Sequence, residues 1–315
     1  IEACLVGSEM CIRDRTGSVV IANAASAAED VTLTITNTLA DEDGLGSFSY
    51  QWARAGSAIS GATSATYALV QADVGSTITV TVSYTDAQGT AESETSAATG
   101  AVTNVNDDPT GSVAITGFTT EDQTLSITNT LADEDGLGSF SYQWARAGTA
   151  ISGATSSTYT LVQADVGSTI TVTVSYTDAQ GTAESATSAA THAIDNVNDD
   201  PVGVPTLTGT AQEDSALGVS TSGISDEDGL GSFSYQWARA GTAISGATSS
   251  TYTLVQDDVG STMTVTVSYT DAQGTAESVT SAATSAVANV NDDPTGSVAI
   301  SGTATEDQTL SITNT

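Results

Sequence analysis

The chain has 315 residues, of which 38 are acidic and five basic, for a formal net charge of −33 and a sequence pI near 4.1. So acidic a surface repels nucleic acid and anionic membranes, and neither is expected as a partner. No apolar run approaches the ~18 residues a membrane span needs, so direct insertion into a bilayer is not expected of this segment.

In chain order, the first fifteen residues stand apart. Leu5 through Arg15 resemble the in-frame translation of a transposase sequencing adapter, so residues 1–15 read as a non-native segment. A secretory signal fits worse, because the start carries no basic residue and the apolar run from Ala3 to Gly7 is short. Both cysteines, Cys4 and Cys11, fall in this stretch, so the remainder has no disulfide framework, and lysine is absent throughout.

From Thr16 onward the sequence is one module copied in tandem. Tyr-Gln-Trp recurs at Tyr50, Tyr142 and Tyr235, steps of 92 and 93 residues, and the string NVNDDP opens at Asn104, Asn196 and Asn289. The copies span 16–108, 109–200 and 201–293; a fourth begins at Pro294 and stops at Thr315 before its own DEDG, which predicts a longer array. A period this long describes a string of small domains, each with its own core, in place of a thin solenoid. A unique active site is therefore not expected, and the chain reads as a non-enzyme.

Within the second copy, alternating runs follow one another around Val113 and Ile115, Leu125 and Ile127, Phe140 to Trp144, Tyr159 and Leu161, and Ile170 to Tyr176. Each would bury one face and wet the other. With turn residues between them the count is about seven strands per copy and no helix. The predicted fold class is all-β: tandem seven-stranded Ig-like β-sandwich repeats of about 92 residues. Trp52, Trp144 and Trp237 fall on the third strand and are expected in the core, with Tyr67, Tyr159 and Tyr252 in the core or at its edge. Arg54, Arg146 and Arg239 follow that strand at an Ala-Gly turn and are expected in surface ion pairs with a nearby acid. His192, the sole histidine, stands where the other copies have Gly100 and Ser285 and is expected in solvent.

The strings YQWARAG, ISGATSSTYTLVQADVG and STITVTVSYTDAQGTAES resemble the bacterial Ig-like repeats of very large, RTX-type surface adhesins, and NVNDDP is similar to the calcium-binding linker of cadherin-type repeats. The likeness covers the chain from Thr16 to its end. It implies a calcium-dependent, extracellular role at a bacterial cell surface. The sequence departs from those patterns in lacking the antibody disulfide and in reading Asn-Asp-Asp-Pro at the linker.

The acids are placed unevenly. Of the eleven carboxylates in the second copy, eight lie in three loops and the linker, so generic surface charge does not account for them. Antiparallel strands put the entering linker, the B–C loop (DEDG) and the F–G loop (YTDAQG) at one end of each sandwich, and the A–B and E–F loops at the other. Stacking the copies then gathers Glu29 and Asp30 with Asn104, Asn106, Asp107 and Asp108, and with Asp133, Asp135 and Asp178 of the next copy. The second junction gathers Glu121, Asp122, Asn196, Asn198, Asp199, Asp200, Asp226, Asp228 and Asp271. A third uses Glu213, Asp214, Asn289, Asn291, Asp292 and Asp293. So many oxygen donors without histidine or cysteine suit Ca2+, which takes six to eight oxygens. Asp, Asn and Gly also favour turns for reasons unrelated to metal, and polar turns with a flexible linker are the competing account. The function expected is that of extender (stalk) repeats of a secreted adhesin, rigidified by calcium between neighbouring repeats and supporting adhesion or biofilm formation. The alternative is a repeat-borne carbohydrate- or protein-binding module that uses aromatics such as Trp144 and Tyr159.

Overall fold

The alternating runs fold as antiparallel strands. The computed structural model describes residues 15–314, so the adapter-like stretch before Arg15, and Thr315, lie outside the described residues. These residues cluster into two units, one holding 15–119, 123–160 and 168–193, the other 120–122, 161–167 and 194–314.

In the first unit the first copy contributes β1 (Val19–Ile21), β2 (Thr32–Asn37), β3 (Ser49–Arg54), β4 (Ser57–Ala58), β5 (Thr66–Ala68), β6 (Ile78–Thr85) and β7 (Ala91–Thr95). They make a three-stranded sheet, β1-β2-β5, and a four-stranded one, β4-β3-β6-β7. The second copy repeats this with β8 (Val113–Thr116), β9 (Thr124–Asn129), β10 (Ser141–Arg146), β11 (Thr149–Ala150), β12 (Thr158–Thr160), β13 (Ile170–Thr177) and β14 (Ala183–Thr187), in sheets β8-β9-β12 and β11-β10-β13-β14.

The second unit carries β15 (Thr206–Thr208), β16 (Ala216–Ser220), β17 (Ser234–Arg239), β18 (Thr242–Ala243), β19 (Thr251–Thr253), β20 (Met263–Thr270) and β21 (Ala276–Thr280), again as a three- and a four-stranded sheet, followed by the hairpin β22 (Val298–Ser301) and β23 (Ser311–Asn314). Among the described residues no helix is long and apolar enough to cross a membrane.

The strand ITVTVSYT shows why these residues form sheet. Burial in β6 alternates strictly, with Ile78, Val80 and Val82 fully buried and the threonines between them partly exposed, and β-branched side chains pack well on a pleated surface. β3 pairs with it so that Trp52 lies opposite Val80. Trp52 is fully buried among Leu33, Leu69 and Ile78, stacks on Tyr67 at 5.7 Å, and donates its indole N–H to the Ser64 carbonyl at 2.9 Å. Trp144 and Trp237 make the same bonds to Ser156 and Ser249, so all three tryptophans are core residues, as expected.

One feature was not foreseen and one expectation needs correction. Among the described residues there are four single-turn 3-10 segments, three of them in the E–F loops: Gln71–Asp73, Gln163–Asp165 and Gln256–Asp258. Asp73 closes its turn by accepting the Val70 N–H at 3.0 Å, a side-chain cap that strand periodicity does not reveal. The arginine partner is also an interior acid, not a surface one. β3 and β4 join through Ala55 (φ 43°) and Gly56 (φ 80°), a two-residue turn with both residues in the left-handed region. From the strand end Arg54 Nε reaches Asp73 Oδ1 at 2.6 Å, and Tyr67 donates to Asp73 Oδ2 at 3.0 Å. Asp73 is fully buried with all of these donors supplied; Arg239 and Asp258 repeat the pair at 2.6 Å.

Candidate metal centre

The A–B turn delivers its glutamate through backbone pairing. Asp30 sits at φ 63°, a left-handed conformation that aspartate tolerates better than most residues, and its N–H donates to the Leu69 carbonyl. Beside it the Glu29 N–H donates to Thr103, and Ala28 forms a parallel bridge with Thr103. Val102 is bridged in turn to Val74 of the E–F turn. The chain leaving the first copy is thus clamped between the A–B and E–F turns, and the Glu29 carboxylate points along it toward the linker.

The B–C loop meets it from the second copy. Asp133 Oδ1 accepts the Asp135 N–H at 2.9 Å, and the Ala179 N–H donates to the Asp135 carbonyl, tying the B–C loop to the F–G loop. Glycine is required at Gly138, where a Cβ would collide with the Thr177 carbonyl. Asp135 Oδ2 then accepts the linker N–H of Asp107 at 3.0 Å. As a result Glu29, Asp107 and Asp135 each bring one carboxylate oxygen within 4.8 Å of the others. Glu29 and Asp135 are each 2 % exposed and Asp107 is half-buried.

This arrangement is electrostatically unfavourable as it stands. Burial raises the pKa of Glu29, with Asp107, Asp135 and Asp30 adding repulsion that the Val105 N–H only partly offsets. Burial and the charges of Asp135, Asp30, Asp133 and Asp108 likewise raise Asp107. Oxygens also outnumber donors: Glu29 Oε2, Gln71 Oε1 and Asn104 Oδ1 are buried without a hydrogen-bond partner. An unpaired buried acceptor costs about 1–3 kcal/mol, more when charged, so such atoms are rare unless something else satisfies them. A hard cation is the group that this donor set fits.

The second unit repeats the geometry with Glu121, Asp199 and Asp228, again within 4.8 Å. The Glu121 N–H donates to Asp195, and Asp228 Oδ2 accepts the Asp199 N–H at 2.8 Å. Burial and neighbouring carboxylates raise both Glu121 and Asp199, and Asp228 Oδ1 is buried without a partner.

The other residues in the expected sets are placed differently. Asp30, Asp108, Asp122 and Asp200 are exposed and act as nearby charges. Asn106 and Asn198 turn their amides to Glu184 and Glu277, each at 3.0 Å, latching the linker to a G strand. Asp133 and Asp226 accept the hydroxyls of Tyr176 and Tyr269. In the F–G loop, burial opposes ionisation of Asp178, but the N–H groups of Thr182, Gln180 and Gly181 prevail and hold its pKa below the usual value. The second oxygens of Asp178 and Asp271 remain without a partner. Asn196 Oδ1 accepts a 3.4 Å bond from Gln163. Of the third set, Glu213 is buried and accepts the Val290 N–H at 3.0 Å, while Asp214, Asn289, Asn291, Asp292 and Asp293 are exposed and are not gathered into a cluster among the described residues.

Among the described residues, one cluster lies outside the expected sets. Asp41, Asp43 and Asp86 of the first copy bring carboxylate oxygens within 4.8 Å of one another, and Asp41 accepts the Tyr84 hydroxyl at 2.8 Å, which together with burial pushes that phenol to about 12. The signal was available, since these positions match Asp133, Asp135 and Asp178, but no NVNDDP precedes the first copy to draw attention to them.

No family model matches the chain, and no curated protein matches it. Among solved structures, the chain is similar to a Ca2+-stabilised adhesin that helps an Antarctic bacterium reach out and bind ice, at 16% identity and TM-score 0.29 over 92% of this chain and 78% of that one. It is also similar to a tetra-tandem repeat from the extending region of a large adhesion protein, at 20% identity and TM-score 0.29 over 95% and 81%. A third, concerned with host-cell surface retention of a bacterial ice-binding adhesin, aligns at 15% identity and TM-score 0.25 over 88% and 98%. Likenesses at these scores carry no argument about function.

Proposed function

We propose that the copies 16–108, 109–200 and 201–293 are extender repeats of a secreted bacterial surface adhesin, and that calcium held at Glu29–Asp107–Asp135 and Glu121–Asp199–Asp228 stiffens the linkers between them. The observation that carries this reading is the pair of buried carboxylate oxygens left without donors, Glu29 Oε2 and Asp228 Oδ1, each inside a three-carboxylate cluster. Bound calcium would supply a divalent charge with room for several oxygens. The chain's own residues do the rest. The A–B turn brings a glutamate, the linker an aspartate, and the B–C loop an aspartate from the following copy. Asn104, Asp133 and Asp178 stand by as further oxygen donors. Three chain segments would then share one ion, and the linker between them would lose its freedom to hinge.

Without the ion, the same charges repel, so calcium acts as the stiffener in a chain with no lysine and, past residue 15, no cysteine. Catalysis is no part of this reading, and His192 is exposed. The carbohydrate-binding alternative loses one of its two aromatics, because Trp144 is fully buried, while Tyr159 is partly buried and stacked on it.

The thermal midpoint and radius of gyration of the chain, taken in excess chelator and in a few millimolar calcium, test the proposal. With calcium at ten times its Kd, each site adds about 1.4 kcal/mol and the particle lengthens. If neither quantity moves, the acidic strings are solvated turns and the proposal fails.

A further inference from the structure

Gln71 and Gln163 belong to none of the acidic motifs, yet Gln71 contacts a cluster carboxylate and Gln163 contacts the linker asparagine Asn196. We propose that these two glutamines are ligands of the joint cations, each presenting its amide oxygen from the E–F turn. The proposal rests on the calcium reading above and adds a fourth arm to each site.

Gln71 Nε2 donates to Asp135 Oδ1 at 3.0 Å, which puts the amide in direct contact with a cluster carboxylate, while Gln71 Oε1 is buried with no partner. Gln163 Oε1 is also buried with no partner, but its Nε2 turns instead to Asn196 Oδ1 at 3.4 Å. The consequence is reciprocal. Where the amide serves the aspartate, Asn104 Oδ1 is left bare; where it serves the asparagine, Asp228 Oδ1 is left bare. In each copy the N–H2 group serves a single acceptor, and neither pose satisfies the amide's own oxygen.

A half-turn about the Cγ–Cδ bond exchanges the donor and acceptor ends of an amide. In the ion-free state the glutamine lends N–H groups to an electron-rich site, and with a cation present it turns its oxygen inward. A glutamine also adds an oxygen without adding another negative charge to carboxylates that already repel one another. The supporting turn is firmly built: Asp73, two residues on, is held by Arg54, Tyr67 and the Val70 N–H, so Gln71 projects from a fixed base.

Calcium is titrated into the full chain against a chromophoric chelator for the unsubstituted protein, for Gln71→Ala with Gln163→Ala, for Gln71→Glu with Gln163→Glu, and for Glu29→Gln with Glu121→Gln. Thermal midpoints in excess chelator check folding. Alanine is expected to weaken the two sites about tenfold or more and glutamate to tighten them roughly threefold or more. If both glutamine substitutions leave affinity within about twofold while the Glu29 and Glu121 substitutions weaken binding, calcium binds but the glutamines are not ligands. If the unsubstituted chain takes up no calcium, both this inference and the proposed function fall. Should the alanine variant melt early in chelator, the glutamate variant decides, and unchanged affinity there overturns the inference.

Discussion

The core around Trp52 and the cluster around Glu29 are both buried in the first unit, and they are built on opposite terms. In the core every demanding group is served: the Trp52 indole has its carbonyl, and the fully buried Asp73 receives Arg54, Tyr67 and a backbone N–H. In the cluster, carboxylates gather with oxygens left over. The same chain can satisfy a buried acid when a cation is within reach, so the shortage at Glu29 is a local choice of residues and not a general consequence of high negative charge. On the proposed reading, the sandwiches are then expected to fold without an ion, and the linkers to stiffen only with one.

That contrast would break most sharply at the core. Trp144→Ala is expected to destabilise its copy by about 3–5 kcal/mol, equally with and without calcium, in denaturant unfolding. A calcium-dependent cost would mean that core and joint are coupled. Asp73→Asn is next, at about 2–3 kcal/mol, because it weakens the charge-assisted bond to Arg54 while keeping the shape; thermal unfolding should again show no calcium dependence.

At the joint the expected effects are smaller and conditional. Glu29→Gln should raise the midpoint in chelator, by removing a charge whose ionisation burial already opposes, and should lower the gain on adding calcium. pH sharpens the same point. Glu29, Asp107, Glu121 and Asp199 have pKa values raised by folding, so protonation favours the folded state and stability is lost as pH rises through their folded values. Asp86, held low chiefly by the Thr90 N–H, and Asp178 act the other way, losing stabilisation only as pH falls below the usual 3.8. In chelator the thermal midpoint should therefore climb from pH 7 toward about pH 4 and then fall. In calcium that climb should shrink or reverse, because protons compete with the ion. Smallest of all, Asn106→Ala should cost about 0.5–1 kcal/mol by releasing Glu184, and calcium should not restore it.

The fold was largely legible because period-two alternation is a local signal. ITVTVSYT can bury only one face, and YQWAR can only pair beside it. The 3-10 turn at Gln71–Asp73 was not legible, since its cause is a side-chain cap on Val70 and an arginine nineteen residues earlier. At the site, the motifs named the right neighbourhoods, but only some of their members meet. Asp107 and Asp135 face one another, whereas Asn106, one residue before Asp107, turns away to a strand. Gln71 carried no signal at all, because an uncharged residue in a strand-like run looks like any solvated position.

The sequence by itself determined the repeat period, the all-β sandwich, the tryptophan core and the concentration of acids in loops and linkers, because each of these is written in spacing and composition. Which acids are buried together, which are merely nearby charges and which oxygens lack a donor was decided by tertiary structure alone. The Glu29 cluster forms because a parallel bridge at Thr103 and a linker N–H on Asp135 bring distant segments to the same few ångströms, and no local pattern encodes that meeting.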